Sequence, residues 1–441
     1  MAGVSVWSII SRHLHQKITS VQPITLGYPF MRFCMVTTFY PPYSFGGDGV
    51  FVQQLSNELA KRGHLVEVVH CRDAYNLLAG RTPSPAYHDH PNVTVHALKS
   101  PLGFVSPLAT HQTGRPILKS SRIKEILEKP FDVIHYHNIS LVGGPKILHY
   151  GQAVKLYTLH EYWLICPTHL LFKFNHEVCI HKQCLSCALA HTRPPQLWRY
   201  TKMIQQAVKQ VDLFLAPSEF TMNKHLETGL KIPVVELPYF TSRWERHDIP
   251  PRQSIAETPY FLFVGRLVKS KGVQELLPIF RCYEKAQLWI VGLGDYEPVL
   301  RRMAQGSPNI KFLGYQSGER LRILYQQAVA SIVPSLWYEV FGLVILEAFS
   351  QGTPVIVRNR GAMPKLIDES GGGFVFNTEK ELLNAMDQLL GDQNLRQEVG
   401  RRGYAALQQK WSAEDHIKRY LELVEQIATA RSEKSVAEKI S

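Results

Sequence analysis

Two carboxylates eight positions apart are the first residues in this chain that could do chemistry. Glu339 and Glu347 share the segment "PSLWYEVFGLVILEAFSQGTPVI". On one regular helix a separation of eight would turn them roughly 80° apart. With Glu339 in the loop before the helix, both can face one elongated ligand at different points. Glu347 sits in an otherwise apolar run, "LVILEAF". A lone acid there either holds a structural partner or accepts ligand hydroxyls, and sharing a segment with Glu339 favours the ligand. Phe341, Gly342 and Leu343 are expected to form the first turn, with free N–H groups suited to phosphate oxygens.

Three further groups point the same way. "FVGRLVKSKGVQEL" places Arg266 and Lys271, with Gly265 and Gly272, in a strand–helix loop. Two cations beside a helix N-terminus can clamp a diphosphate; the alternative is a solvated basic loop, and the position at a strand's carboxyl end favours the clamp. "YPPYSFGGDGVFVQQL" carries Gly46 and Gly47 just before a helix, where backbone N–H groups can approach an anion or simply make a tight turn. "YTLHEYWLICP" puts His160 at a strand end, as a satisfied structural histidine or a donor to a substrate hydroxyl. "HYHN" (His135, His137, Asn138) ends the preceding strand, as a polar terminus or part of the same cleft lining.

The elements that must position these groups alternate. Short apolar runs ("RFCMVTTF", "HLVEVVH", "FDVIHYHN", "VKLYTLHEY", "VDLFLAPSEF", "IPVVELPYF") are interleaved with helical patterns, and the alternation restarts at "YFLFVGRL". Nearly all-apolar strands alternating with helices argue parallel sheets covered on both faces. The fold class is α/β, read as an extension over 1–30, a first domain over 31–238 with a Cys-rich insert at 163–195, and a Pro- and Arg-rich linker over 239–258. A second domain spans 259–411, a last helix 412–430 and a fraying tail 431–441. Ligands of open α/β sheets bind outside the carboxyl ends of the strands, so two such domains facing one another share one cleft.

Composition sets the frame. The 441 residues are 45% hydrophobic and 20% charged, an ordinary globular balance. Lys and Arg outnumber Asp and Glu by 49 to 37, a net +12 that favours anionic partners without naming one. No apolar run is long enough for a transmembrane helix. The first 30 residues hold no acid, the first being Asp48, and the fold is expected to begin near Met31 after a disordered or mis-assigned start. Cys34, Cys71 and Cys282 read as small buried hydrophobes, and no disulfide framework is expected in a chain this large without a secretory signal. That suggests a reducing, intracellular setting.

From about Met31 to Gln426 the chain resembles the retaining, nucleotide-sugar-dependent glycosyltransferases of family 4, the glycogen-synthase-like "glycosyl transferases group 1". The resemblance rests on Gly46-Gly47, His160, "GRLVKSKG", "VGLGD" and above all the Glu339–Glu347 block. It implies the GT-B fold, two facing Rossmann-like domains with the last helix crossing back to the first, acceptor-binding, domain. It implies that Arg266 and Lys271 neutralise the donor diphosphate and that Glu347 takes the ribose hydroxyls. Glu339 and the backbone of Phe341, Gly342 and Leu343 would hold the donor sugar and phosphates, Gly46 and Gly47 would close over the phosphates, and His160 would contact the donor sugar. The implied reaction is hexosyl-type transfer from a UDP- or GDP-sugar to a hydroxyl of a glycan or lipid-linked glycan in polysaccharide or glycoconjugate synthesis. No catalytic metal is implied. Two departures stand out: Glu161 where Asp is common, and Lys365 where an acid is frequent.

Two features lie outside that pattern. Cys166, Cys179, Cys184 and Cys187 give C-x12-C-x4-C-x2-C, which suits tetrahedral zinc, with His169, His176 and His181 as alternative ligands; buried thiols are the other reading. Such inserts occur in a subset of the family, and the metal would be structural, pinning a loop over the acceptor cleft. From Val178 to Gln210 there is no acid, while Lys182, Arg193, Arg199, Lys202 and Lys209 accumulate around Trp198 and Tyr200. That pattern suits an anionic membrane surface or a solvated basic face, and with it a cytoplasmic enzyme peripheral to the membrane. The rival readings are a GT-B sugar-nucleotide epimerase, which would lack the Glu339–Glu347 block, and a basic nucleic-acid-binding protein, for which no stripe or module is evident.

Overall fold

The computed structural model describes residues 29–79, 83, 88–242 and 255–440. From Met31 onward these belong to one compact unit. The extension read over 1–30 lies outside the described residues up to residue 28, and the linker's 243–254 do as well.

The first half builds a parallel sheet from β1 (Arg32–Val36), β2 (Leu65–Cys71), β3 (Val93–Leu98), β4 (Val133–Tyr136), β5 (Val154–Thr158), β8 (Leu213–Ala216) and β9 (Val234–Glu236). A separate antiparallel hairpin, β6 (Phe172–Lys173) and β7 (Glu177–Val178), stands in the Cys-rich insert. The spatial order is β3-β2-β1-β4-β5-β8-β9. Phe33 pairs with both Val66 and Val133, so β1 is central, and its apolar run is buried on both faces. Helix α1 (Gly47–Lys61) follows β1 and buries Phe51, Val52, Leu55 and Leu59. The second half repeats the plan with β10 (Tyr260–Val264), β11 (Gln287–Val291), β12 (Ile310–Gly314), β13 (Ala330–Val333), β14 (Val355–Arg358) and β15 (Gly373–Phe376), ordered β12-β11-β10-β13-β14-β15. Strand order reverses between β1 and β4 and again between β10 and β13. Those crevices are where open α/β sheets take ligands.

Four strands were not anticipated from the sequence: the short hairpin strands β6 and β7, and two strands of the parallel sheets. β3 is an edge strand whose side chains are largely exposed, so it lacks the apolar run of its neighbours. β15 is four residues long and opens on glycine. Cys282 is also corrected: it ends its helix on an exposed face and is not part of the core.

The last helix, Ala413–Ile440, runs well past the fraying point read from the sequence. It crosses back onto the first sheet. Arg431 donates to Asp212 Oδ1 and to the carbonyls of Gln152 and Ala153, each at 2.9 Å. The Tyr420 hydroxyl and His135 Nδ1 share a hydrogen bond at 3.1 Å, and the two rings stack. His135 continues to Thr158 Oγ1 at 2.7 Å and packs its ring 4.0 Å from that of His137, which meets His160 at 2.8 Å. His416, on the same last helix, donates to the Pro238 carbonyl at 2.7 Å. These GT-B features are two Rossmann-like sheets and a returning helix.

Burial keeps all four imidazoles neutral. It lowers His160 to about 3 and His416 to about 4, and drives His135 and His137 well below the ordinary histidine value. The unfolded chain takes up these protons near pH 6.5. This stabilisation is therefore complete above about pH 6.5 and erodes as pH falls, by up to about 1.4 kcal/mol per group per pH unit. Urea midpoints are expected to be nearly level at about pH 7.5 and to drop steadily from about pH 6.5 to 5, less steeply in His416→Gln. A flat profile would contradict the buried neutral ladder.

Candidate active site

The loop after β10 is held backbone against backbone. Gly272 adopts φ 76°, and a Cβ there would lie 2.1 Å from the Pro334 carbonyl oxygen. A Cβ on Gly294 would lie 2.2 Å from the Leu267 carbonyl oxygen. The glycines of "GRLVKSKG" and "VGLGD" thus let three strand-end loops stack closely. Lys271 emerges from this stack and donates to Glu339 Oε1 at 2.6 Å. Ser335 Oγ and Trp337 Nε1 donate to the same oxygen at 2.6 and 2.9 Å. Glu339 is only 6% exposed. Its backbone is fixed by Ala362 N–H at 3.0 Å and by Gly361, where a Cβ would come within 2.5 Å of the Glu339 nitrogen.

Helix α4 (Leu343–Ser350), which follows α2 (Cys184–Ala190) and α3 (Glu219–Glu227) in the chain, begins two residues later than the sequence suggested. Gly342 is left-handed at φ 113° and caps it, so Phe341 and Gly342 precede the first turn. The Phe341 ring is buried, 5.3 Å from Tyr239, and only its backbone is available. The α4 N-terminus therefore presents N–H groups with no intrahelical acceptor toward the β13 end. Glu347 lies within α4, 7% exposed, and its Oε2 accepts from the Tyr325 hydroxyl at 3.0 Å.

The first sheet approaches from the other side. A Cβ on Gly47 would sit 3.0 Å from Leu343 Cδ1, so the start of α1 abuts the start of α4. Gly46 has extended backbone and open space around it, so neither geometry nor crowding requires glycine there. Arg266 reaches over the Phe45 ring at 5.6 Å. Ser218 Oγ and Thr221 Oγ1, at the N-cap and first turn of α3, donate to the Val340 carbonyl at 2.6 and 3.0 Å. Lys365 reaches Glu219 at 2.8 Å, which gives the unusual lysine a partner on the opposite domain.

His160 sits in this cleft but has both ring nitrogens engaged, Nε2 with His137 and Nδ1 with the Tyr239 hydroxyl. Its ring meets a ligand only by releasing one of them. Two acids were given no role from sequence. Asp48, half-buried in α1, accepts from Asn138 Nδ2 at 3.3 Å; burial, then the nearby Glu161, hold it above the usual carboxylate range. Glu161 accepts from His169 Nδ1 at 2.8 Å, while its Oε1 is buried with no hydrogen-bond partner among the described residues. An acid in the first helical turn after Gly-Gly was the available signal for Asp48.

Two family models match the chain: Glycosyltransferase Family 4 over residues 45–238 and Glycosyl transferases group 1 over 245–406. An uncharacterized glycosyltransferase of Methanocaldococcus jannaschii is 24% identical over 404 residues, covering 87% of this chain and 95% of that protein. A sucrose-phosphate synthase of Thermosynechococcus elongatus superposes with TM-score 0.68 at 19% identity, over 91% of this chain and 100% of that one. Anabaena HepE in complex with UDP and glucose gives 0.62 at 16% identity, over 90% and 99%. The chain belongs to this family of GT-B glycosyltransferases. It is an enzyme that transfers a sugar from a nucleotide sugar to an acceptor.

Lys271→Ala removes the cation from a buried carboxylate, and Glu347→Ala removes the acceptor of the Tyr325 hydroxyl. Each is expected to lower kcat/KM for sugar transfer tenfold or more while circular dichroism stays native. Near wild-type rates in both would contradict the placement of the donor at these residues.

Proposed function

We propose that the enzyme is a retaining hexosyl-type transferase using a UDP- or GDP-sugar, with a glycan or lipid-linked glycan as acceptor. The observation that carries this reading is the meeting of the two strand-order reversals around the Lys271–Glu339 pair and the α4 N-terminus. Arg266, Lys271 and the first-turn N–H groups of α4 meet the charge that develops on the leaving diphosphate. They supply that stabilisation from fixed positions, so no catalytic metal is assigned. Glu347 takes the ribose hydroxyls and Glu339 the donor sugar. Oε1 of Glu339 already receives three donors, which suits a positioning carboxylate better than a nucleophile. Same-face attack by the acceptor hydroxyl then retains configuration. His160 shapes the sugar pocket through the His137 and Tyr239 bonds, with Gly46 and Gly47 closing over the phosphates. UDP in the HepE complex supports a uridine donor. A thermal-shift panel of UDP-, GDP- and ADP-sugars should raise the melting midpoint with one base class, and the product anomer read by NMR should match the donor's. Inverted product would overturn the reading.

The acceptor side is proposed to work at an anionic membrane face. No described helix is long and apolar enough to cross a membrane. Ile180, Leu185, Leu189, Leu197 and Tyr200 are exposed within the acid-free stretch, beside exposed Lys182, Lys202 and Lys209. Lys182, Leu185 and Tyr200 line one groove of about 260 Å³. Two residues leave the set first read from sequence. Trp198 is buried, donating to the His111 carbonyl at 2.9 Å, and Arg199 is sandwiched between Trp163 and Trp198. Replacing Lys182, Lys202 and Lys209 with Gln should abolish salt-sensitive co-sedimentation with phosphatidylglycerol vesicles. Unchanged co-sedimentation would remove the membrane face from the proposal.

A further inference from the structure

We propose that Cys166, Cys179, Cys184 and Cys187 form a four-thiolate zinc site whose task is to fix the insert under the loop that carries Glu339. The inference concerns a site apart from the donor cleft.

The four cysteines come from three local pieces of chain. Cys166 closes a turn, its N–H bonded to the Tyr162 carbonyl at 2.8 Å. Cys179 directly follows β7, with its N–H on the Leu171 carbonyl at 2.7 Å. Cys184 and Cys187 open α2, three positions apart and so on one helical face. All four line one cavity of about 10 Å³, room for a single ion. All are free thiols. Among the described residues no three His, Cys, Asp or Glu side chains stand in ligand arrangement, so binding an ion requires the four sulfurs to draw closer together. Of the alternative ligands, His169 is held by Glu161, while His176 and His181 are exposed.

The charge around the cavity is what distinguishes a metal site from a cluster of packed thiols. Zinc with four thiolates carries a net −2. Four cations stand near it: Arg199 by Cys166 and Cys184, Arg193 by Cys166, Lys182 by Cys184, and Lys173 by Cys179. No acid occurs between Val178 and Gln210. Neutral thiols gain little from such a shell, and a tetrathiolate needs it. A donor to sulfur is also in place, Phe174 N–H to Cys187 Sγ at 3.4 Å.

The backbone carries a second, independent sign. Every non-glycine residue with positive φ among the described residues lies in this insert: His169, Leu171, Phe174, Asn175 and Thr192. Such conformations persist only where the surroundings over-determine them. The hairpin is two residues per strand, too short to do this alone. A metal cross-link through Cys166, Cys179 and α2 supplies the missing constraint.

The consequence reaches the donor site. Cys166, Leu171 and Phe172 share a buried apolar cluster with Trp337 and Val340, the residues flanking Tyr338 and Glu339. The zinc would thus act as a positioning element for that loop and would touch no substrate.

Full-length protein produced in zinc-supplemented medium should carry about one zinc per chain by elemental analysis. Cobalt exchanged into it should show the intense near-ultraviolet sulfur-to-metal band and the red-region bands of a tetrahedral thiolate site. Cys184→Ser with Cys187→Ser should lose the metal, Cys282→Ser should keep it, and chelation should raise KM for the nucleotide sugar more than it lowers kcat. Zinc-free wild-type protein whose four thiols titrate freely in the folded state would overturn the proposal. So would metal retained by the double variant, or a disulfide among these cysteines. Stoichiometry and cobalt spectrum do not depend on activity, and the spectrum of the wild-type chain stands even where a Cys variant fails to fold.

Discussion

A carboxylate almost wholly removed from water needs a cation beside it, and Glu339 has Lys271. Taking away one partner of a buried pair costs about 3–5 kcal/mol, and somewhat less here because Lys271 is about a quarter exposed. The rest of the site is arranged so that this pair forms. Gly272 lets the Lys271 loop pack on Pro334, Gly361 lets the next strand-end loop pack on Glu339, and Ser335 and Trp337 complete the oxygen's hydrogen bonds. The opposite domain contributes Ser218 and Thr221 at the Val340 carbonyl and the apolar cluster of the insert. By contrast the Lys365–Glu219 pair is exposed on both sides, where water and salt screen it, and contributes little. It orients the domains more than it binds them.

At the cleft the first domain answers with a polar ladder of neutral imidazoles; its own deep ion pair, Lys119–Asp73, is made by other residues. His160 is held by His137 and Tyr239, and through the ring contact of His137 with His135 the ladder reaches Tyr420 on the returning helix. Buried imidazoles hydrogen-bonded to one another stay neutral, so they place a donor–acceptor wall in the cleft without adding charge beside a diphosphate. The returning helix is therefore part of the site's scaffold. Its Arg431 and His416 pin it to backbone carbonyls of the first domain, which explains why a helix read as ending near residue 429 persists.

Much of this was legible in the sequence because it rests on local rules. Apolar runs ending in polar residues pointed to the parallel sheets, and the Glu339–Glu347 spacing with "GRLVKSKG" pointed to residues that the structure brings together: Lys271 and Glu339 pair beside the start of α4. What was not legible depends on tertiary neighbours. β3 is polar because it is an edge strand. Phe341 falls outside the helix because Gly342 is left-handed. Cys282 ends a helix face that points to solvent, and Trp198 belongs to the core because Arg199 and Trp163 stack with it. Asp48 and Glu161 acquire meaning only when α1 and the β5 end are brought together beside Arg266, a juxtaposition no spacing encodes.

The excess of positive charge was the least specific feature of the chain, and the structure divides it among separate tasks. Lys271 answers Glu339, Lys365 answers Glu219, and Arg431 answers Asp212 and two carbonyls. Arg199 is held between two indoles with its Nη2 buried, and its charge faces thiols. Cations committed to such partners do not form the continuous stripe that tracks a nucleic-acid backbone. A net +12 is therefore compatible with a protein whose anionic partners are small and local: a diphosphate at one strand end, a sulfur cluster in the insert and a lipid surface beside it. The diphosphate is met by cations of the second domain, whereas the sulfur cluster and the lipid surface draw on the same insert and share Lys182, so those two contributions are coupled.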